Sequence, residues 1–407
     1  MAVCTGCSLL CDDIEVTLES GRIARTKNLC RKGLGRFRSL YSERASPRAD
    51  GSEVDVGDAI SRAAEILSGA KRPLLFGWSN STLEAQQAGI ALARKLGGVI
   101  DDTSSFCQGP LMELVIRGQM PTGTLDDVRN FGDTLIYWGS DPTSSHPRHM
   151  SRFSYFPRGE KLQKGFEEDR TAFAVDVRES PTAKIVADGY FQIPPGGDAE
   201  FIEAILSVLD GKMPKVQDKK RMISFVTTLK KAKMGFIFPG LGLVYSLKDR
   251  LDLFSQLVAR LNEGVPFRVI PMVGHYNMRG FNQTLFEQTG GINQVSFADG
   301  EARRGQENGI ISALDSCDAA LVVGSDPVSS LPAAFARKLA KIPVVVMDPH
   351  RNLTADLARV VIPTALSGLE AGGAALRMDG VRVELAPVVE GASPSDAEVL
   401  ARIREVV

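Results

Sequence analysis

Net charge is almost absent from this 407-residue chain: 48 Lys and Arg stand against 49 Asp and Glu, a formal balance of −1. No bulk field therefore draws it to nucleic acid or to an anionic lipid surface. Long hydrophobic runs are missing too. No apolar stretch approaches the roughly 18 residues that span a bilayer, so no membrane insertion is expected. The opening Met1-Ala2-Val3-Cys4 has neither the basic nor the apolar region of a secretory signal. There is no short-period repeat and no low-complexity tract. No G-x-G-x-x-G fingerprint follows the first strand, which disfavours a simple NAD enzyme.

Cysteine is scarce as well, at six residues, but four of the six stand in the first thirty positions. They read Cys4-x2-Cys7-x3-Cys11 and then, after 18 intervening residues, Cys30. Thiolates are soft ligands suited to iron–sulfur clusters and to zinc. Zinc usually takes a more symmetrical pair of C-x2-C motifs, whereas a tight three-Cys run with a distant fourth favours a [4Fe–4S] cubane. Structural zinc and unligated or disulfide-bonded thiols remain as alternatives from the spacing alone. Thiols grouped as a ligand set fit a reducing compartment, and the cytoplasm is the expected location.

The length suits two large α/β units and a small cap. Residues 1–50 form the expected iron–sulfur cap, with Asp13 to Leu18 and Ser20 to Ile23 reading as a short hairpin. Helical spacing marks Asp58 to Leu67, Glu84 to Leu96 and Leu251 to Leu261. Apolar runs that stop at polar or glycine-rich turns mark strands at Arg72 to Trp78, Val99 to Asp101, Thr134 to Gly139 and Thr171 to Asp176. The same pattern returns at Met234 to Gly240, Ala319 to Gly324 and Ile342 to Met347. The expected fold is α/β, with two doubly wound parallel-sheet domains over residues 51–212 and 213–407, related by pseudo-twofold symmetry. The Lys-rich stretch from Lys212 to Lys233 is taken as their boundary and as a solvated surface.

Two strand-end turns are near copies, Gly139-Ser140-Asp141-Pro142 and Gly324-Ser325-Asp326-Pro327. Each offers free backbone N–H groups, a glycine that lets a phosphate approach, and an Asp able to accept from a sugar or base amine. Each is followed by a second matched element. Asp176, Arg178 and Thr182 correspond to Asp348, Arg351 and Thr354, with His350 beside the latter Asp. One such turn is ordinary turn chemistry. The duplication suggests two related halves gripping two related dinucleotide groups. There are only four histidines: His146, His149, His275 and His350. The segment His146-Pro147-Arg148-His149, with Arg152, is too polar for a core and reads as a loop contacting an anion or a partner. Cys107 stands on a turn after Asp101-Asp102, where a thiolate would be presented, while Cys317 reads as a packing residue.

Over these motifs the chain resembles the B subunit of formylmethanofuran dehydrogenase, of the molybdopterin oxidoreductase superfamily, or its homologue in the bacterial formyltransferase/hydrolase complex. The resemblance runs from Cys4 to about Val388. It rests on Cys11-Asp12-Asp13-Ile14, Gly77-Trp78-Ser79, Cys107-Gln108-Gly109-Pro110, Ser145 to Arg152, Gly274-His275-Tyr276-Asn277 and Gly368-Leu369-Glu370-Ala371. It implies a [4Fe–4S] cluster on Cys4, Cys7, Cys11 and Cys30, and a tungsten or molybdenum ion held by two pterin guanine dinucleotides and by Cys107. It places the reaction at Cys107, Gln108 and His275. It implies cofactor contacts at Trp78, Ser79, Gly139, Ser140, Asp141, His146, Arg148 and His149. Further contacts are implied at Asp176, Arg178, Thr182, Gly274, Gly324, Ser325, Asp326, Asp348, His350, Arg351, Thr354 and Glu370.

Two departures stand out. CO2-reducing members carry a His after the metal-bound Cys and an Arg just before Gly-His-Tyr-Asn, where this chain has Gln108 and Val273. Gln cannot cycle a proton at neutral pH, and Val offers neither charge nor donor. The resemblance thus leaves two readings: CO2/formate interconversion coupled to formylation of a methanofuran-type carrier, or a non-redox scaffold in a complex that releases formate hydrolytically. Either implies an amidohydrolase-like formyl-transferring partner within a hetero-oligomer. No C-terminal β-barrel domain is seen, so a separate small barrel-type subunit is expected to complete a redox-active pterin site.

Overall fold

The computed structural model describes all 407 residues. They form two compact units, Met1–Phe106 with His275–Val407, and Cys107–Gly274. The consecutive division expected at 212/213 falls inside the second of these. There the helix Lys219–Lys231 turns its lysines to solvent and packs Met222, Phe225, Val226 and Leu229 into that unit's core. Strand pairing also crosses the expected boundary, since Gly235–Pro239 lies parallel to Thr134–Trp138.

The first unit is built on a nine-stranded sheet. Its five central strands are parallel, in the spatial order Val99–Asp102, Pro73–Gly77, Ala319–Val323, Val344–Met347, Val360–Ile362. Each is buried along its whole length because both faces are covered. Leu75, Leu321, Val323, Val345 and Met347 face one layer, formed by the helices Val56–Gly69, Leu83–Lys95 and Asp396–Val406 among others. Leu74, Phe76, Ala320, Val322 and Val346 face the other layer, with Ile310, Leu339 and Ala355. Cys317 is buried in that second layer, as a packing residue. The helix Val56–Gly69 buries Ala59, Ile60, Ala63, Ala64 and Leu67, the stripe that its spacing predicts.

The amino-terminal segment belongs to this unit. Its hairpin pairs Glu15–Glu19 with Arg22–Lys27 around Ser20 and Gly21, both at positive φ, the two-residue turn that suits right-twisted strands. Toward the carboxyl end a two-stranded ribbon pairs Gly373–Leu376 with Arg382–Leu385, and the sheets contain no closed barrel.

The second unit holds a five-stranded, wholly parallel sheet. Its spatial order is Phe267–Val269, Gly235–Pro239, Thr134–Trp138, Thr171–Asp176, Tyr190–Gln192. Both units are therefore doubly wound, as expected, and in each the strand order reverses at one switch point. No helix is long and apolar enough to cross a membrane.

Candidate functional site

In the first unit the strand order reverses between Pro73–Gly77 and Ala319–Val323. Gly77 has φ +126°, and a Cβ there would lie 2.0 Å from the Val323 carbonyl oxygen, so only glycine lets the chain leave the strand here. Trp78 follows at φ +71°. Its indole is fully buried, stacked on Phe281 at 6.1 Å and laid over Gly89, which makes it a core residue and not an exposed cofactor contact. Ser79 is also buried, and its hydroxyl donates to Asp102 at 2.8 Å. Asn80 then bridges the switch point by donating to the Gly324 carbonyl at 3.0 Å.

Above these strand ends lies a cavity of about 420 Å³. Asn80, Gly324, Asp348 and His350 line it from the sheet, and Thr5, Gly6, Lys32 and Arg36 from the cysteine segment. Ser367 and Asp396 complete the wall. Arg36 donates to the Thr5 hydroxyl at 3.0 Å and to the Ser367 carbonyl at 3.3 Å, tying the Cys4 loop to the loop beyond the last parallel strand. Asp396 is buried, and desolvation pushes its carboxyl up to about 7, with Arg36 opposing. Desolvation likewise raises Asp348 to about 6, against the backbone N–H of His350 and the Arg36 charge. The His350 Nε2 donates to the Ser39 carbonyl at 2.7 Å, and burial lowers that ring's basicity.

Next to this cavity Cys4, Cys7 and Cys11 are buried and Cys30 is half-buried. Cys30 caps the helix Arg31–Arg38, its sulfur accepting from the Gly33 N–H at 3.4 Å. A Cβ at Gly33 would sit 3.0 Å from the Cys4 sulfur, so the helix can approach that thiol only as glycine. Burial, with a smaller push from the other thiols of the set, raises Cys4 and Cys7 to about 12. Opposing this, backbone N–H groups of Gly6 and Leu9 point at the two sulfurs. Such N–H···S bonds and mutual thiol repulsion suit a set that is ionised only around a cationic centre. No three His, Cys, Asp or Glu are arranged to hold a single metal ion.

The duplicated turns match in detail within each unit. Asp141 and Asp326 each accept from a threonine hydroxyl, Thr182 or Thr354, at 2.6 Å, and from that threonine's own N–H at 3.3 and 3.0 Å. Each threonine oxygen in turn accepts a backbone N–H, from Thr143 or Val328, at 3.2 Å. The two Asp–Thr pairs are thus internal clasps that shape the turns, with Asp141 bound further by the Ser144 hydroxyl at 2.7 Å. The expectation that these carboxylates accept from a ligand gives way to this arrangement. Ser140 donates inward to the Phe238 carbonyl, and Ser325 is half-buried beside Gly324. Arg178 is exposed near Asp141, Asp176 is half-buried and raised by desolvation, and Arg351 pairs on the surface with Asp356. Glu370 accepts the Leu366 N–H and pairs with Arg44, a structural role.

The histidine segment differs from its expected surface position. His146 is buried and its Nε2 donates to the Val273 carbonyl at 2.8 Å. His149 is fully buried against Tyr137 and Phe238, its Nδ1 3.0 Å from the Ser154 hydroxyl, and desolvation lowers it to about 3. Both are buried in the second unit, His149 kept neutral by desolvation, whereas Arg148 remains half-buried. Val273 is fully buried and Gly274 exposed, and His275 is half-buried in the first unit, made less basic by burial and by Lys32. Cys107 is half-buried at the start of the helix Gly109–Ile116, and Gln108 is buried with its Oε1 lacking a partner. Arg36, Asn80 and Asp396 escaped the sequence reading. Asp396 reads locally as a helix-start residue after Ser395, and only sheet order brings it near Arg36.

No family model matches the chain. It is 38% identical to the B subunit of the tungsten-containing formylmethanofuran dehydrogenase 2 of Methanocaldococcus jannaschii, covering 98% of this chain and 96% of that protein. It is 35% identical to the protein of the same name from Methanococcus maripaludis, with the same coverage. Among solved structures, a chain of the formyltransferase/hydrolase complex of Methylorubrum extorquens, in complex with methylofuran, shares the fold. The TM-score is 0.72 at 21% identity, over 88% of this chain and 98% of that one.

Proposed function

Because the chain belongs to the family of the formylmethanofuran dehydrogenase B subunit, we propose that it carries a [4Fe–4S] cluster and a tungsten or molybdenum bis(pterin guanine dinucleotide) centre within a one-carbon complex. The reaction is the interconversion of CO2 and formate, coupled to formylation of a methanofuran-type carrier by an amidohydrolase-like partner. The observation that carries this reading is a shared wall. Thr5, Gly6 and Lys32, from the thiol-bearing segment, line the same cavity as the strand-end residues Asn80, Gly324 and Asp348.

When bound, the two groups supply one-electron transfer and a redox centre for the carbon. The chain's own residues bind and orient them. Cys4, Cys7, Cys11 and Cys30 serve as thiolates, with the Gly6, Leu9 and Gly33 N–H groups stabilising their charge. In the first unit the cavity receives one dinucleotide through Asn80, Gly324 and His350. In the second, the Gly139–Ser140 turn with Asp176 and Arg178 faces the other. Cys107 supplies a thiolate, and the unpartnered Gln108 Oε1 accepts from a bound donor. A small barrel-type subunit completes the site, and the complex works in the cytoplasm.

A second reading, a non-redox subunit of a formyl-hydrolysing complex, is favoured by Val273. Its side chain is buried and its carbonyl is held by His146, so no charged group replaces the expected arginine at that position. Elemental analysis with pterin extraction, on the complex purified without oxygen, separates the two. About four irons per chain, with a heavy metal and pterin, support the redox centre. Iron without heavy metal or pterin refutes it and leaves the scaffold.

A further inference from the structure

All three hydroxyls of the turn Thr103–Phe106, which runs directly into Cys107, are engaged. Thr103 Oγ1 lies 3.1 Å from the Ser79 hydroxyl. Ser104 Oγ donates to Asp102 Oδ1 at 2.5 Å and accepts from the side-chain amides of Asn282 at 2.9 Å and Asn293 at 2.8 Å. Ser105 Oγ donates to Asp101 Oδ2 at 3.0 Å. The other Asp102 oxygen takes the Ser79 hydroxyl, and the Asp101 carboxylate also takes the backbone N–H groups of Ile310 and Gln294 at 2.8 and 3.2 Å.

Asp101, Asp102, Ser104 and Asn282 are each 0% exposed. Burying two adjacent carboxyls is expensive, and it raises them to about 8 and about 7. Packing alone would be served by apolar side chains. The bonds instead run to five separate segments: the strand Val99–Asp102, the Trp78–Asn80 turn, the helix Met278–Thr289, the Asn293–Gln294 loop and the start of the helix Ile310–Ala313. Ser104 is saturated, with its one proton given and both lone pairs taken. An amide at position 102 would bring an N–H where Ser104 or Ser79 needs an acceptor.

We propose that Asp102, acting through Ser104 and with Ser79 and Asn282, is a positioning residue for Cys107, its network setting where the turn delivers the thiolate. This rests on the reading of Cys107 as the protein ligand of the heavy metal. A ligand placed by such outer contacts loses them at a cost of about 10-fold to 100-fold in activity.

The test compares Ser104→Ala, Asp102→Asn and Cys107→Ala in the assembled complex purified without oxygen. The readouts are metal content, the electron paramagnetic resonance of the partly reduced heavy metal, and kcat against KM for oxidation of the formyl substrate. Ser104→Ala and Asp102→Asn are expected to retain iron and heavy metal, to shift the g values, and to lower kcat about 10-fold with KM within about twofold. An unchanged spectrum in metal-replete Ser104→Ala overturns the proposal. If Cys107→Ala also leaves the spectrum unchanged, it is the ligand reading that fails. Should Asp102→Asn not assemble, Ser104→Ala decides, since it keeps the size of the turn. In protein without the heavy metal, iodoacetamide alkylation of Cys107 gives the same answer. A rise of about fivefold or more in Ser104→Ala supports the proposal through a loosened turn, and an unchanged rate overturns it.

Discussion

Alanine at Gly139 and at Gly324 makes the same change in two copies of one turn, at φ +54° and +55°. The surroundings differ. At position 139 a Cβ would lie 2.4 Å from the Leu243 nitrogen and 3.0 Å from the Gly242 backbone, atoms of a helix start that cannot rotate away. At position 324 the nearest atom is the Asn80 Cβ at 3.4 Å, an ordinary contact. The left-handed conformation alone costs an alanine about 1–2 kcal/mol. Overpacking against fixed backbone adds about 1–3 kcal/mol at position 139 only. Gly324→Ala should therefore lose about 1–2 kcal/mol and Gly139→Ala about 2–5 kcal/mol. A single unfolding midpoint would blend two units that need not unfold together. Hydrogen exchange by mass spectrometry, on peptides covering Thr134–Trp138 and Ala319–Val323, reads the local opening free energies separately. Equal losses, or a larger loss at 324, would refute the argument that close backbone approach rather than φ alone demands glycine at 139.

Thr182→Val and Thr354→Val each remove a hydroxyl from a carboxylate at 2.6 Å and strip the acceptor from a backbone N–H. Each should lose about 1.5–3 kcal/mol by the same exchange measurement, and losses under about 0.5 kcal/mol would make the clasps decorative. Asp396 is raised to about 7, against about 3.9 in an unfolded chain, so the folded state binds the extra proton between those values. The Asp396 contribution to stability should thus fall as pH rises from about 4 to about 7 and level off above. Asp396→Asn should flatten part of that slope in urea unfolding, and an unaltered slope would contradict it. Arg36→Met removes the ties to Thr5 and Ser367 and should lower the iron retained per chain during anaerobic gel filtration, whereas full retention would show that the cysteine loop needs no such tie.

The cysteine set was legible because three of its four members lie within eight residues and a hairpin with a Ser20-Gly21 turn returns the chain to the fourth. The histidines were misread for the opposite reason. Ser145 to Arg152 is polar in every local window, yet His149 packs edge-on to Phe238 and His146 grips the Val273 carbonyl 127 residues away. Trp78 stands in a motif that resembles a cofactor contact, but Gly89 leaves a space on the neighbouring helix that its ring fills.

By itself the sequence determined the α/β class, four of the five central strands of the first sheet and the three inner strands of the second to within a residue or two, the duplicated turns and the grouping of the four thiols, while the three-residue strand Val360–Ile362 went unread. Strands buried on both faces must be apolar throughout, and tight turns accept few residue types. Tertiary structure alone decided the division into units, because strand order is set by pairing between segments far apart in the chain. It also decided that the two Asp–Thr pairs are clasps, and that Arg36 and Asp396 meet at one cavity wall. A side chain's chemistry is local to the sequence, whereas its burial and its partners depend on which distant segments the sheet brings beside it.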